Sequence, residues 1–497
     1  MSSAPWNVPE SWSWAEVREI GRVVSGGTPS TKEPSFWGDE IVWFSPADLT
    51  GYRAKYIARG TKGLSLKGLA KSSAQLMPQG AVMFSSRAPI GYVAITAVEA
   101  ATNQGFKSVL LEPGMFNEYL YYYLKAAKQL AEERATGTTF KEISGGAFAK
   151  LPVPIPPANE QRRIVAKIEE LFSELDKGVE SLVTAREQLK AYRQSILKSA
   201  FEGRLTREWR QCQPKLPSAT DVIANALAKK NAPKYKRKSR VLRANLNSVR
   251  PIVPDEWGTI ALGDLDVEVF DGPFGSHLKS SDYLESGVRV IRLENIGHGH
   301  FIEEKRSYVS PEKYQALKRH TVFPGDIVVS SFVTDTIRSA IVPASVPVSI
   351  NKADCFAVRL RGDAVMANFV QRFLEARCAY KQVEDMIHGV GRPRINTTQL
   401  KQVVLPVCSR AEQFEVLKVL STAYSNIFTL DADLIVQIEK IRALRQSILR
   451  RAFSGQLVAQ DPADEPASAL LDRIRAERDK CGTTKRRAKR NVKKEAA

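Results

Sequence analysis

Cysteine is scarce in this sequence, and long hydrophobic runs are absent from it. The five cysteines are scattered and form no C-x-x-C pair, which argues against a disulfide framework or structural zinc and fits a reducing cytoplasm. No apolar run approaches the ~20 residues that a membrane helix needs, and the N-terminus lacks the basic start and apolar core of a secretory signal. We expect a cytoplasmic protein with two to four domains in 497 residues.

Several catalytic motifs are also missing. The [ND]-P-P-[FYW] motif of N6-adenine methyltransferases is absent, because Pro156-Pro157 is preceded by Ile155 and followed by Ala158. The phosphate-binding G-x-x-x-x-G-K-[ST] motif of nucleotide-driven motors is absent as well. His298 and His300 lie close together in a glycine-rich stretch without further metal-ligating residues nearby. We predict no catalytic site and no metal site in this chain.

Positive charge is concentrated in two segments. Lys229–Arg243 holds eight basic residues and no acidic one, and Lys485–Ala497 has a net charge of +6. Together they contribute +14 to the chain's formal net charge of +19. Two basic arms on a moderately basic body favour binding to a polyanion, although solvated tails remain an alternative for the arms themselves.

One long stretch occurs twice and contains no proline in either copy. Glu160–Leu205 aligns without a gap to Glu412–Leu457, and the pentapeptide Arg193-Gln-Ser-Ile-Leu197 recurs as Arg445-Gln-Ser-Ile-Leu449. As one helix each copy would be about 70 Å long at 1.5 Å per residue. Gly203 and Gly455 are placed to end the helices with a left-handed C-cap.

Apolar residues recur every seven positions in both copies, which predicts a coiled-coil seam. The second line of the seam is expected three residues further on in each heptad, at looser positions such as Gly178, Tyr192, Leu430 and Leu444. Neither helix can bury its stripe alone, so we expect the two copies to pair about a pseudo-two-fold axis. The predicted seam consists of Ile168, Leu175, Leu182, Leu189, Ile196, Leu420, Ile427, Leu434, Ile441 and Ile448.

Each long stretch follows a segment of short strand-like runs and polar loops, which we call a module. The openings of the two modules are alike, Val8-Pro-Glu-Ser-Trp12 and Val253-Pro-Asp-Glu-Trp257. The predicted divisions are the first module, its long helix, a short helix with a basic linker, the second module, its long helix, and a short helix with a basic tail. In residues these are 1–157, 158–206, 207–252, 253–408, 409–457 and 458–497.

Several motifs resemble the specificity subunits of type I restriction-modification systems. The run from Gly137 to Pro157 (GTTFKEISGGAFAKLPVPIPP), continuing into Glu160–Leu171 (EQRRIVAKIEEL), resembles the central region of that family. Gly26-Gly-Thr-Pro-Ser30 with Phe36-Trp-Gly38, and Asp271-Gly-Pro-Phe-Gly-Ser-His-Leu-Lys-Ser280, look like the openings of its target recognition domains. The resemblance covers nearly the whole chain.

The resemblance implies an α+β architecture. Two mixed α/β target recognition domains would be joined by two long helices that form an antiparallel coiled coil with a pseudo-two-fold internal repeat. The heptads alone do not choose between antiparallel and parallel pairing. The resemblance also implies that each domain reads half of a bipartite, asymmetric target in double-stranded DNA and that the helices set the spacing and dock two methyltransferase subunits. Restriction subunits would join that core. No cofactor is expected on this chain; S-adenosylmethionine, and ATP with Mg²⁺ for restriction, are expected on the partner subunits.

Polar and basic residues in the module loops are the candidates for DNA contact, because such side chains reach base edges and phosphates. Two alternatives to a specificity subunit stay open: a DNA-binding scaffold without sequence preference that uses the basic arms, and an enzyme in its own right. The candidates are Thr28, Ser30, Ser85, Ser86, Arg87, Asn103, Gln104 and Lys141 in the first module, and Ser276, Lys279, Arg292, Asn295, Asn351, Lys352, Arg392 and Arg394 in the second.

Overall fold

The structure, a computed structural model, describes residues 6–137, 141–213, 215–230, 250–389 and 391–480. The basic tail Lys485–Ala497 lies outside this part of the chain, as does the basic linker apart from the helical backbone of Lys229 and Lys230. Within the described residues, every helix is too short or too polar to cross a membrane. The chain divides into two compact units, residues 1–182 with 436–497 and residues 183–435. We call them the first and second units.

The first module consists of short strands and helices in three sheets. The sheets have the strand orders β2-β9-β6-β7-β4, β5-β3-β8 and β1-β10, with β3 and β8 parallel. The elements are β1 (Ser13–Glu16), α1 (Val17–Ile20), β2 (Gly21–Ser25), β3 (Trp37–Phe44), β4 (Tyr56–Ile57), β5 (Lys62–Leu64), α2 (Leu66–Ala70), β6 (Val82–Ser85), β7 (Val93–Thr96), β8 (Ala100–Thr102), β9 (Phe106–Leu111), α3 (Asn117–Ala126), α4 (Lys128–Glu133), α5 (Gly145–Ala149) and β10 (Pro152–Ile155).

After this module come the first long helix, α6 (Ala158–Phe201), and two shorter ones, α7 (Arg207–Gln211) and α8 (Ala219–Lys230). The second module then repeats the first in outline. Its sheets are β12-β19-β16-β17, β14-β13-β18-β15 and β11-β20, with β13 and β18 parallel. The elements are β11 (Gly258–Ala261), β12 (Val267–Phe270), β13 (Val288–Ile291), β14 (Tyr308–Val309), α9 (Pro311–Ala316), β15 (Thr321–Val322), β16 (Ile327–Ser330), β17 (Ser339–Ile341), β18 (Ser349–Asn351), β19 (Cys355–Leu360), α10 (Ala367–Leu374), α11 (Arg377–Lys381), α12 (Thr397–Gln402) and β20 (Val404–Val407).

The second long helix is α13 (Arg410–Phe453), and a last helix, α14, covers residues 467–480. Both long helices contain 44 residues. Gly203 has a φ of +66° and Gly455 a φ of +75°, so the predicted left-handed caps are confirmed. The backbone N–H after each glycine donates to a carbonyl five residues earlier, from Arg204 to Ser199 and from Gln456 to Arg451, both at 2.9 Å. This bond satisfies a carbonyl that the end of the helix leaves open.

The two long helices pair antiparallel within each unit. In the first unit the Arg445 guanidinium lies 5.0 Å from the centre of the Phe172 ring, and Ile441 Cδ1 would lie 3.6 Å from a Cβ on Gly178. Rising numbers on α6 thus meet falling numbers on α13. The second unit repeats this order, because Arg186 forms two hydrogen bonds with Asp431 and Arg193 lies 4.7 Å from the Tyr424 ring.

The predicted seam residues are all buried or half-buried. Part of the predicted second line is wrong, because Tyr192, Leu430 and Leu444 are about half exposed. On α13 the second line instead lies four residues after each predicted seam position, at Tyr424, Asp431, Ile438 and Arg445, which are half-buried. On α13 the later part of the second line therefore lies on the other side of the first line from where the heptads predict it.

Each unit has a core built from a module and from both long helices. In the first unit, Ile168 near the start of α6 and Phe453 at the end of α13 belong to one buried cluster with α3 and α14. The Phe453 ring meets Tyr119 and Tyr123 edge-on. In the second unit Leu420 from α13 shares a cluster with Phe201 from α6, and the Phe201 ring meets Phe369 and Phe373 edge-on.

Three predicted elements differ from the structure. Ser13–Ile20 reads as one strand, but a bond from the Glu16 N–H to the Glu19 carboxylate (2.7 Å) starts a helical turn halfway. The sequence pattern predicts one helix over Asn117–Glu133, but the structure interrupts it at Ala127. The pattern also predicts one helix over Met366–Met386, which breaks at Ala376, where the Gln194 amide of α6 bonds to Glu375 O (3.1 Å) and to Arg377 N (3.0 Å).

One outer line of α13 carries three large, exposed apolar side chains, with Ser421 between the first two. Phe414, Phe428 and Ile435 lie at the same heptad position and are 62%, 77% and 42% exposed. The equivalent positions of α6 hold Arg162, Asp176 and Val183. The two helices therefore present different outer surfaces although their buried lines are alike.

Candidate nucleic-acid interface

Four loops meet at one edge of the first module. Loop A1 is residues 26–30, loop B1 85–92, loop C1 102–105 and loop D1 136–142, of which 138–140 are not described. Loops A1 and C1 touch through their backbones, since Gly27 N donates to Thr102 O at 2.8 Å. A Cβ on Gly26 would lie 2.1 Å from Asn103 O, so this position requires glycine.

Loop B1 holds loops C1 and D1 in place. The N–H of Ser86 donates to Gly105 O at 2.7 Å, and the N–H of Ile143 donates to Ser86 O at 3.0 Å. Arg87 pairs with Glu142 as an isolated β-bridge, and their side chains form an ion pair at 3.8 Å. Residues far apart in sequence thus converge on one surface.

The second module brings four equivalent loops together. Loop A2 is residues 272–277, loop B2 330–338, loop C2 351–354 and loop D2 388–394, of which 390 is not described. The N–H of Ser331 donates to Asp354 O, and the N–H of Ile395 donates to Ser331 O, both at 2.9 Å. Phe332 pairs with Arg394 as an isolated bridge, just as Arg87 pairs with Glu142. The two modules therefore build their loop surfaces on one backbone plan.

The charges on this common plan are arranged differently. In the first module Glu142 on loop D1 faces Arg87 and Lys107, with Lys107 Nζ 3.7 Å from the Glu142 carboxylate. In the second module the basic residue is on loop D2, where Arg394 lies 3.8 Å from the Asp354 carboxylate of loop C2. The two surfaces would therefore present different patterns to the same kind of ligand.

Burial perturbs a titratable group at each surface. Lys107 is only 7% exposed, and desolvation lowers the pKa of its ammonium although the Glu142 carboxylate opposes the shift. Desolvation raises the pKa of Asp271, at the start of loop A2, to about 6. The Asp271 carboxylate accepts hydrogen bonds from the N–H groups of Gly272 (2.7 Å) and Asp354 (3.1 Å), so it ties loop A2 to loop C2.

The sixteen candidate DNA-contacting residues fall into three groups by exposure. Thr28, Ser30, Gln104, Lys141, Ser276, Lys279, Arg392 and Arg394 are exposed. Arg87, Asn103, Arg292 and Lys352 are half-buried. Ser85, Ser86, Asn295 and Asn351 are buried.

Most of the candidates lie in the four loops of their module. Lys279 and Arg292 lie beside them: the Arg292 guanidinium and Lys352 Nζ both lie 5.4 Å from the centre of the Tyr283 ring. Of the candidates, Asn295 stands apart, because it is the buried residue of the short helical turn after β13. The loops therefore unite the candidates into one surface in each module, with Asn295 beneath it.

The four buried candidates spend hydrogen-bonding groups inside their module. Ser85 Oγ donates to Pro89 O (2.7 Å) and Ser86 Oγ to Gly105 O (3.1 Å). The Asn295 amide donates to Ile302 O and Lys305 O, and the Asn351 amide donates to Cys355 O. A direct contact with a base would require these side chains to leave their present partners, so we assign them to the support of the loops.

Sequence reasoning missed a cationic flank on the first module. Residues 49–98 contain seven Lys or Arg and no Asp or Glu. Lys62 Nζ lies 5.4 Å from the Trp37 ring centre and Lys67 Nζ 5.6 Å from that of Phe36. Trp37 Nε1 donates to Ser30 O at 3.3 Å, which ties this flank to loop A1. The long acid-free stretch was the available signal.

Comparison with known proteins adds to this geometry. Residues 9–185 match a family model described as the type I restriction modification DNA specificity domain. The specificity subunit of the type I restriction enzyme MjaIX of Methanocaldococcus jannaschii is 34% identical over 196 residues, which are 39% of this chain and 44% of that protein. The EcoKI specificity subunit of Escherichia coli K12 is 22% identical over 97% of this chain and 99% of its own length.

A solved structure has the same fold. It belongs to work on complex assembly and conformational transition of the type I restriction-modification system. The likeness has a TM-score of 0.61 at 18% sequence identity and covers 91% of this chain and all of the other.

Proposed function

Because the chain belongs to the specificity subunits of type I restriction-modification systems, we propose that each module reads one half of a bipartite, asymmetric DNA target. The observation that carries this proposal is the pair of four-loop surfaces, which share a backbone plan and differ in charge. A shared plan suits the same kind of ligand, and a different charge pattern suits a different base sequence.

The exposed side chains divide the work between bases and phosphates. Arg392 and Arg394 offer the planar forks that pair with guanine, and Gln104 offers an amide of the kind that pairs with adenine. Lys62 and Lys67, beside loop A1, are suited to phosphate contacts, which give affinity without sequence preference.

The paired helices would set the spacing between the two half-targets. Seven residues of helix rise about 10 Å, which is about three base pairs of duplex DNA. Removing one heptad from α6 and the equivalent heptad from α13 keeps the seam in phase, so the expected result is a spacer about three base pairs shorter with both half-targets unchanged. A spacer of unchanged length would contradict the role of the helices.

Methylation of DNA would be performed by partner subunits docked on the helices. The exposed Phe414, Phe428 and Ile435 on α13 are suited to such a contact, because large exposed apolar groups mark protein-binding surfaces. Their α6 counterparts are mostly charged, so the two docking surfaces would not be equivalent.

The experiment that tests the proposal is sequencing of methylated adenines in a host that expresses the chain with its methyltransferase partner. The expected result is one asymmetric motif with two specified halves around an unspecified spacer. Substitutions in loops A1–D1 should change one half only, and those in loops A2–D2 the other. A contiguous motif, or no motif, would refute the proposal.

A second candidate function is DNA binding without sequence preference through the basic segments, which carry most of the net charge. Deletion of residues 485–497 together with neutralisation of the basic residues of 229–243 separates the two. The scaffold function predicts loss of DNA binding, whereas the specificity function predicts weaker binding with the target preference kept.

A further inference from the structure

Loop A2 of the second module exposes a phenylalanine at its tip. Phe274 is 66% exposed, and the neighbouring residues 275–277 are exposed as well. A Cβ on Gly275 would meet no atom within 4 Å, so the chain at this point faces open space. The Phe274 ring therefore projects from the module instead of contributing to its core.

The start of loop A2 is fixed by contacts with the rest of the module. A Cβ on Gly272 would lie 2.1 Å from the carbonyl carbon of Lys352, so this glycine is packed against loop C2. Pro273 is buried, and the His277 N–H closes a turn on Phe274 O at 2.8 Å. His320 Nδ1 lies 2.7 Å from Asp271 O and anchors the start of the loop. Because the start of the loop is fixed, the exposed ring has a defined position, and binding a ligand costs little further conformational entropy.

The surroundings of Phe274 suit a polyanion. On its own loop Ser276 and His277 are exposed, and Lys279 follows. Loop C2, on which Gly272 packs, is tied through Asp354 to Arg394. These are cationic and polar groups of the kind that contact phosphates and base edges.

The first module has a polar residue at the equivalent place. Gly26 packs on Asn103 O as Gly272 packs on Lys352. Two residues after these glycines, Thr28 of the first module is therefore the equivalent of Phe274 in the second. The Thr28 hydroxyl bonds to the Gln104 side chain of loop C1. The aromatic tip is therefore a property of the second module and not of the shared backbone plan.

We propose that Phe274 stacks on a base, or enters between two bases, in the half-target read by the second module. This inference rests on the proposed function. Aromatic rings stack on bases of any identity, and apolar side chains inserted at a base step unstack it and kink the duplex. Phe274 would thereby read how easily one step opens, whereas Arg392 and Arg394 read base edges. The first module, with Thr28 at this position, would lack such a contact.

A protein-binding role suits the outer face of α13 better than it suits Phe274. Phe414, Phe428 and Ile435 recur at one heptad position and offer a row of apolar side chains. Protein interfaces have such apolar centres. Phe274, by contrast, stands among polar and cationic groups.

The test uses the chain assembled with its methyltransferase subunits and a duplex carrying the target that methylation sequencing identifies. Phe274→Ala should weaken binding of this duplex about 5-fold to 150-fold, the range for the loss of one base–aromatic stack. The slope of log K against log salt should stay that of the wild type, because Phe274 neutralises no phosphate. Lys279→Ala, on the same segment, should instead reduce that slope by about 0.9 if it holds one phosphate. Phe274→Trp should restore binding.

A fluorescent base analogue locates the contact. With 2-aminopurine in the second module's half-target, the wild type should change the fluorescence on binding and Phe274→Ala should not. The same probe in the first half-target should respond equally to both proteins. Phe428→Ala serves as the crossed control. It should weaken subunit assembly, but the complex that does assemble should show the same fluorescence change on binding as the wild type.

The outcomes separate this inference from the proposed function. Absence of a two-part target would refute the proposed function itself. A two-part target that Phe274→Ala binds like the wild type would overturn only the stacking role. Loss of subunit assembly by Phe274→Ala, with Phe428→Ala assembling normally, would assign Phe274 to a protein interface instead.

Discussion

The Gln161 side chain accepts a hydrogen bond from the backbone N–H of Phe116 at 3.0 Å, joining the first long helix to the residue that precedes α3. The same amide donates to Pro156 O at 3.2 Å. Gln413 repeats both contacts in the second unit, with Met366 N (2.9 Å) and Cys408 O (3.0 Å). The repeated glutamine thus attaches each module to its own helix.

Replacing this glutamine should loosen the attachment. Gln161→Leu leaves the half-buried N–H of Phe116 and the buried carbonyl of Pro156 without their partner, which costs about 1–3 kcal/mol. We expect a lower urea midpoint for unfolding of the first unit. The readout is hydrogen exchange, which should become faster at the α3 amides. Gln413→Leu is the matched variant and should expose α10 amides instead. Equal protection of α3 in wild type and Gln161→Leu would show that the bond contributes nothing.

The seam predicts a contrast between neighbouring positions. Leu182→Asp, or Leu434→Asp, places a charge in a half-buried line of the helix pair, where it lacks a partner. We expect loss of helix pairing and of assembly with methyltransferase subunits, seen as a shift to smaller species in gel filtration. Thr184→Asp is the control and should assemble normally, because Thr184 is exposed and lies neither in the seam nor at the heptad position of the proposed docking surface. Unchanged assembly of Leu182→Asp would refute the seam.

Loss of a contact to a base and loss of a contact to a phosphate should affect DNA binding in different ways. Arg394→Ala should relax discrimination at one base pair of the second half-target, by about 1–3 kcal/mol. Lys67→Ala should weaken binding to all sequences alike and reduce the salt slope by about 0.9. Competition binding with single-base variants of the target, at several salt concentrations, measures both effects. A Lys67→Ala variant with altered base preference would contradict this division.

Asp271 predicts a pH dependence of stability in the second unit. Burial raises its pKa to about 6 in the folded state, against about 3.9 in an unfolded chain. The folded state therefore binds more protons between pH 4 and 6, and this group makes the unit less stable as pH rises through that window. Asp271→Asn should stabilise the unit at pH 7.5, by on the order of 1 kcal/mol after allowance for solvent screening, and this gain should vanish near pH 4.

The control for this measurement is Asp282→Asn. The N–H of Lys279, then the Lys313 side chain, lower the pKa of Asp282 below its ordinary value. Its contribution is lost only as pH falls below about 4, so its effect on urea unfolding should stay constant between pH 5 and 7.5. An Asp271→Asn effect that is equally constant would show that the carboxyl of Asp271 does not titrate in this range.

The sequence predicts best what local pattern controls. Heptads determine the long helices, and Gly203 and Gly455 end them because glycine readily adopts a left-handed backbone. The break at Ala376 was not predictable, because the bonds that support it come from Gln194, far away in the chain. Lys107 and Glu142 pair across two loops, and neither loop contains a signal for the other.

The loop surface was predicted as a set better than as individual residues. Polar residues between strands marked loops A to D in the first module and loops A, C and D in the second, and the sheets bring these loops together. Burial divided the set: Asn295 has the amide of a base reader but donates it to the carbonyls of Ile302 and Lys305. Asp354, with a φ of +70°, is a structural residue that no sequence pattern distinguished.

The contact between Gly455 and Pro9 bears on the order in which the protein folds. A Cβ on Gly455 would lie 2.3 Å from Pro9, so the start of the chain packs against the end of α13. The second unit is continuous over residues 183–435, but the first joins residues 1–182 to 436–497. During synthesis the second unit therefore has all its residues before the first does. The first module emerges from the ribosome before the second and waits longer for its final packing partners, so it depends more on protection from aggregation.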